Sequence, residues 1–180
     1  MRHRVAVIGT SETTRSVALL LVARDDSQVL LTGEDGGALQ AAAAALGVEP
    51  RVDGPVDVTE LTGTQVVVVC EPDGVPVQEL RTRAPHALLI VATADPEADA
   101  RALQDHLRWP RQRVIGIDAR AAAGAAPQRA AAAVRLVDFV LADRGRTVEA
   151  TVQRTAEGGA GSWGSVPVTL GAVGVQSIDG

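Results

Sequence analysis

Val5-Ala6-Val7-Ile8-Gly9-Thr10-Ser11 is the stretch on which the fold turns. Four apolar residues in succession, without polar alternation, form the pattern of a strand buried on both faces of a parallel sheet. Gly9 punctuates the run, and Ser11 has the side chain of a helix N-cap. From Glu12 to Arg24 the apolar residues Val17, Ala18, Leu20, Leu21 and Val22 make one broad face, which predicts a helix leading directly out of the strand.

The pattern then repeats along the chain. Gln28 to Leu31 predicts a second strand, and Ala38 to Leu46 an alanine-rich helix closed by Gly47. Val66 to Val69, four valines, is the clearest buried strand; a short helix over Val77 to Arg83 and a strand over Leu88 to Ala92 follow, with Pro85 between them. Asp95-Pro96 opens a helix to about Leu107, and Arg113 to Ile117 reads as a further strand. Strands alternating with helices are the mark of βαβ units and hence of an α/β, doubly wound parallel sheet. Beyond Asp118 the pattern changes to one long helix, Ala119 to Leu141. Strands at Thr147 to Gln153, Ser165 to Leu170 and Gly174 to Ile178 follow, expected to form a small antiparallel β-meander with Gly158-Gly159-Ala160-Gly161 joining the first two. The expected organisation is a nucleotide-type domain over 1–118 and a reduced C-terminal lobe, a long helix plus the meander, over 119–180.

Composition narrows the functional classes. A chain of 180 residues suits one ordinary domain, or one domain with a small appendage. No apolar run approaches the ~20 residues that cross a bilayer, and the N-terminus has no apolar region leading to a cleavage site, so a cytoplasmic protein without membrane association is expected. A net charge of −5, with arginines scattered among acids, gives no footprint for nucleic acid. The single Cys70 excludes an intrachain disulfide and a multi-cysteine metal site. All 17 basic residues are arginine, and there is no Lys, Asn or Tyr, which removes Schiff-base lysine, a Walker-type lysine and tyrosine proton relays.

Trp109-Pro110-Arg111-Gln112-Arg113-Val114-Ile115-Gly116 resembles the F-P-K-N-R-V-I-G segment of the NAD-dependent malate and lactate dehydrogenases. Val166-Pro167-Val168-Thr169-Leu170-Gly171 with Gly174-Val175 resembles that family's closing V-P-V-x-L-G-x-x-G-V, and Val5 to Gly9 its first strand. The resemblance covers nearly the whole chain, with losses concentrated between Asp118 and Thr147. It implies a Rossmann-like fold, an NAD site and assembly as a homodimer, or as a hetero-oligomer with a related subunit.

By the resemblance, the cofactor side falls on Gly9, Thr10, Ser11, Thr14, Thr32 and Thr93. A dinucleotide turn needs glycines for the tight turn, for pyrophosphate approach and for helix packing. Only Gly9 is kept; Ser11 and Thr14 stand in the other two places, and Glu12 adds a negative charge at the turn, although hydroxyls at a helix N-terminus can hold an anion. Thr32 stands where the family has an Asp on the adenosine ribose. Loss of a charged hydrogen bond costs about 1.5 to 3 kcal/mol, ten- to a hundredfold in affinity, unless Glu34 or Asp35 substitutes. The family's cofactor-side Asn becomes Ala94, next to Thr93. NAD binding is therefore expected to be weakened.

The reaction residues fare worse. No G-x-H-G-D loop occurs, and His3, His86 and His106 stand in no matching context, so each reads as a surface or packing residue. General acid–base catalysis contributes about 10² to 10⁴ in rate. The substrate loop is cut to Pro72-Asp73-Gly74-Val75-Pro76-Val77, without an arginine, and Arg81 and Arg83 read as exposed helix charges. Asp118 and Arg120 echo the family's L-D-S-A-R-F-R, but a spacing of two is expected to turn them to different helix faces. Cys70 ends a buried strand and reads as a structural thiol. No catalytic residue and no metal ligand is assigned. The leading expectation is a dehydrogenase-like protein without dehydrogenase activity, acting as subunit, scaffold or regulator. The alternatives are an NAD(H)-dependent oxidoreductase on a 2-hydroxy or 2-oxo acid such as malate, and a module for a small nucleotide or metabolite.

Overall fold

A computed structural model describes residues 3–24, 27–32, 44, 61–154 and 161–178. In chain order the elements are β1 (His3–Ile8), α1 (Glu12–Val22), β2 (Ser27–Thr32), β3 (Val66–Val69), α2 (Val77–Arg83), β4 (Leu88–Val91) and α3 (Pro96–Leu107). A 3₁₀ turn (Arg111–Arg113), β5 (Val114–Gly116), α4 (Ala119–Ala122), α5 (Ala126–Ala142), β6 (Arg146–Arg154), β7 (Ser162–Gly171) and β8 (Gly174–Ile178) complete them. Of the expected helix over Ala38 to Leu46 only Ala44 is described, and it is helical; the Gly47 cap, the link Gly158 to Ala160, Glu34 and Asp35 lie outside the described residues.

The strands form one eight-stranded sheet in the order β2-β1-β3-β4-β5-β6-β7-β8. β1 to β5 are mutually parallel, and β6, β7 and β8 add antiparallel to that edge, as the α/β pattern and the meander predicted. The β5–β6 seam is slight, with Gly116 opposite Thr151 as its register pair. Gly116 permits it: a Cβ there would come within 2.8 Å of Pro96 Cβ and 3.0 Å of Thr151 Cβ.

Continuous apolar strands follow from burial on both faces. Val5, Val7, Val66, Val68 and Ile90 face a cluster that includes Val17 and Leu21 of α1 and Val137 and Val140 of α5. Ala6, Ile8, Val67, Val69 and Leu89 face Leu80 of α2 and Leu103 and Leu107 of α3. In α1 the buried stripe is Thr14, Val17, Ala18 and Leu21, an i, i+3, i+4, i+7 set. Leu20 falls outside it, 40% exposed beside Leu19 at 53%, so the face is narrower than its composition implied.

The long helix expected from Ala119 to Leu141 is two helices. Pro127 lies in the first turn of α5, where its missing N–H is harmless; inside a continuous helix it would remove a hydrogen bond and press its ring on the carbonyl four residues back. The Gln128 side chain accepts from the Ala125 N–H at 2.5 Å and covers the new N-terminus. Alanine's propensity had hidden the break.

Candidate functional site

Because β1 to β5 are parallel, the residues after them share one edge of the sheet: Gly9 after β1, Cys70 and Glu71 after β3, Thr93 after β4 and Ile117-Asp118 after β5. β2 lies to one side of β1 and β3 to the other. The strand order therefore reverses between β1 and β3, the switch point at which open α/β sheets hold ligands.

The β1 turn is built around Gly9, whose φ of +130° is open to glycine and strained for a residue with a Cβ. Its N–H donates to the Thr32 carbonyl at 2.8 Å, tying the ends of β1 and β2. Ser11 caps α1 as expected: its Oγ accepts from the Thr14 N–H at 3.4 Å and lies 3.1 Å from Thr14 Oγ1. Thr14 is buried, and a Cβ on Gly9 would sit 2.7 Å from its Oγ1. Gly9, Thr10, Ser11 and Thr14 thus share one turn, with Thr32 buried alongside. Thr93 is not brought to them: it stands two strands away, roughly 10 Å across the sheet. Its buried Oγ1 has no hydrogen-bond partner among the described residues.

Glu71 reaches across the switch point. Its Oε2 accepts from the Thr10 N–H at 2.8 Å and from Thr10 Oγ1 at 3.2 Å, while the Cys70 N–H donates to the Ile8 carbonyl at 2.9 Å. A carboxylate of the chain itself therefore takes the backbone donor that an incoming phosphate would need. Glu12, to which that negative charge was assigned, is exposed in the first turn of α1. Sequence reading missed Glu71; the available signal was an acid directly after a fully buried strand at the sheet's carboxyl edge. With Glu71 in this position the Thr10 N–H is taken, and a dinucleotide pyrophosphate reaches it only by displacing the carboxylate.

Behind Glu71, Cys70 is buried, and desolvation by burial pushes its thiol up from 9.0 to about 12; a hydrogen bond with Thr14 and the nearby Arg129 oppose the shift, and Glu71 adds to it. It is protonated at neutral pH and no nucleophile. Arg129 of α5 donates through Nη1 to the Gly124 carbonyl at 2.6 Å and through Nε to Thr13 Oγ1 at 3.3 Å, which locks α5 onto α1.

At the end of β5, Asp118 caps α4 by accepting from the Ala121 N–H at 2.9 Å. The Ala119 N–H donates to Ser165 Oγ at 2.8 Å, and Thr151 Oγ1 donates to the Ile117 carbonyl at 2.8 Å. Asp118, Arg120, Arg135 and Glu149 are among the residues that line a cavity of about 450 Å³. Asp118, at φ −64° and ψ 154°, is not helical, so helical spacing does not govern the pair. No histidine joins them: His86 and His106 are exposed, and His3 Nδ1 pairs with Gln65 Oε1 at 3.0 Å, at the start of β1. Arg81 and Arg83 are exposed, as expected. Among the described residues, no group of three His, Cys, Asp or Glu could hold a metal ion, and no helix is long and apolar enough to cross a membrane.

The fold defines the class: a doubly wound, Rossmann-type α/β protein. The particular version of that fold is the one shared by malate and lactate dehydrogenases. The malate dehydrogenase from Aeropyrum pernix superposes with a TM-score of 0.82 at 15% identity, the match covering 97% of this chain and 89% of that one. The lactate dehydrogenase from Cryptosporidium parvum gives 0.82 at 18% identity, covering 99% and 90%. The malate dehydrogenase from Archaeoglobus fulgidus, in complex with NADH, gives 0.74 at 15% identity, covering 98% and 90%. No family model and no curated protein matches the sequence. Likeness at this level of identity establishes the fold, and the site carries any functional argument.

Proposed function

We propose that the chain is a dehydrogenase-like protein that performs no hydride transfer and serves as a subunit, scaffold or regulator. The observation that carries this reading is Glu71 at the switch point, where its carboxylate holds the Thr10 N–H at 2.8 Å. An anionic pyrophosphate entering the turn must displace a charge-assisted hydrogen bond and then lie beside a like charge. The absence of a histidine at the carboxyl edge, where a proton would have to be moved, supports the same reading. The division into a nucleotide-type part, 1–118, and a reduced C-terminal part, 119–180, belongs to this proposal, as do a cytoplasmic location and assembly as a homodimer or with a related subunit. Leu19 and Leu20, exposed on α1, favour such a contact.

Calorimetric titration with NADH, with malate and lactate turnover measured in parallel, tests the reading. No saturable heat with micromolar affinity and no turnover are expected. Micromolar binding of NADH by the unaltered protein, or turnover that is lost in Asp118→Asn, overturns it. That second outcome would favour an NAD(H)-dependent oxidoreductase, for which the shared cavity of Asp118 and Arg120 is the supporting observation.

A further inference from the structure

The cavity of about 450 Å³ beyond β5 is separate from the Gly9 turn, and none of its lining residues belongs to that turn. β5 itself stands three strands from β1, roughly 14 Å across the sheet. We propose that this cavity is a binding site for a small zwitterion, an α-amino acid with a compact apolar side chain.

Its charges are of both signs and come from different elements. Arg120 and Arg135 stand on helices α4 and α5, whereas Asp118 follows β5 and Glu149 lies on β6. Among the described residues no ion pair joins any of the four. Two guanidinium and two carboxylate groups give the cavity no net sign with which to concentrate a simple anion or a simple cation. A ligand that carries both charges meets both kinds of group with charge-assisted hydrogen bonds.

Arg135 is prepared for the carboxylate end. Its guanidinium lies over Phe139, 5.4 Å from the ring centroid, and that of Arg146 lies 5.7 Å from the same centroid. Stacking fixes the plane of the guanidinium and leaves the N–H groups at its edge to donate, in the fork that a carboxylate accepts. Glu149 answers it for the ammonium end. It is exposed on β6, opposite Pro167 of β7, which also lines the cavity. Asp118 is partly engaged, its Oδ1 accepting from the Ala121 N–H at 2.9 Å.

The apolar wall selects the body of the ligand. Ile117, Leu136 and Val148 supply it, and Ile117 and Leu136 belong to the buried core, so the wall is fixed. The volume falls near the lower end of the ~300 to 1,000 Å³ range of small-molecule sites, which suits a ligand of amino-acid size. The site does not depend on how Glu71 acts at the Gly9 turn, and a ligand held without turnover accords with a regulatory role.

The test titrates the full chain, without nucleotide, with L-leucine and with two probes that each keep one of its charges: 4-methylpentanoate, which lacks the amino group, and 3-methylbutylamine, which lacks the carboxylate. Saturable one-to-one binding of leucine is expected, about tenfold or more tighter than either partial probe. Amide shifts are expected at Leu136, Val148 and Glu149. Arg135→Gln and Glu149→Gln, both at exposed positions, separate the two charges. Arg135→Gln is expected to weaken leucine and 4-methylpentanoate by several-fold to about tenfold and to leave 3-methylbutylamine unchanged. Glu149→Gln is expected to weaken leucine and the amine and to spare 4-methylpentanoate, and both variants should keep the melting temperature of the unaltered protein. No saturable binding of leucine, a partial probe as tight as leucine, a variant that weakens all three probes alike, or shifts confined to the Gly9 turn overturns the proposal. None of these results depends on whether NADH binds.

Discussion

The Thr10 N–H and the Glu71 carboxylate stand 61 positions apart in the chain and 2.8 Å apart in space. A contact of that kind is invisible to local reading, whereas the Ser11 cap, made within one turn, was legible from its residue type and place. Glu71→Ala frees the Thr10 N–H and removes the repelling charge; it is expected to bind ADP at least tenfold more tightly than the unaltered protein, at a stability cost of about 1 kcal/mol. Glu71→Gln keeps an acceptor for Thr10, so it is expected to hold its stability and bind ADP with intermediate affinity. Calorimetry and thermal melting on the three proteins check this; equal ADP affinity in all three would mean that Glu71 does not govern the turn. Cys70 gives a second residue-scale prediction. Its folded thiol, at about 12, lies above the 9.0 of the free group, so the unfolded chain loses the proton first as pH rises. Stability from this group is complete below pH 9 and falls between pH 9 and pH 12, by up to about 4 kcal/mol for three units. Cys70→Ala should flatten that part of the pH profile, and parallel profiles for the two proteins would refute the shift.

Elements whose ends are marked by local chemistry were read closely: β3 and α2 have the boundaries that the sequence implied, and α3 starts at the Asp95-Pro96 signal, Asp95 accepting from the Ala98 N–H at 3.2 Å. The helix over Ala119 to Leu141 was misjudged because alanine favours helix on both sides of Pro127, and propensity outvoted the one residue that interrupts it. How the meander joins the parallel strands was not legible either, since the seam rests on a close approach of three separate segments at Gly116. Gly116→Ala tests the seam. The added methyl meets Pro96 and Thr151 below contact distance, so a loss of about 1 to 3 kcal/mol is expected. Hydrogen exchange should rise first in β5 and β6, because their pairing is the part forced open. A uniform fall in protection across β1 to β4 would instead place the strain in the common core.

Across the whole molecule, the motifs around Gly9, Trp109 to Gly116 and Val166 to Gly171 marked both ends of the fold correctly, because they encode turns and close packing that any protein of this architecture needs. They carried little about function, because the groups that decide it stand between the motifs or meet only after folding. Assembly is the property on which function as a subunit or scaffold depends. A stable dimer buries about 800 Å² per partner, more than Leu19 and Leu20 can supply, so an interface centred on them must also take in the neighbouring surface of α1. Both leucines lie outside the buried stripe of α1, so charges placed there should spare the core. The double variant Leu19→Glu, Leu20→Glu is therefore expected to sediment as a monomer at micromolar concentration while the unaltered chain sediments as a dimer. Its melting temperature should become independent of protein concentration, as loss of mass-action stabilisation requires. If the unaltered chain is itself monomeric, the two leucines have no homodimer to support, and the search moves to a related subunit. If the variant remains dimeric, the contact lies on another face of the sheet.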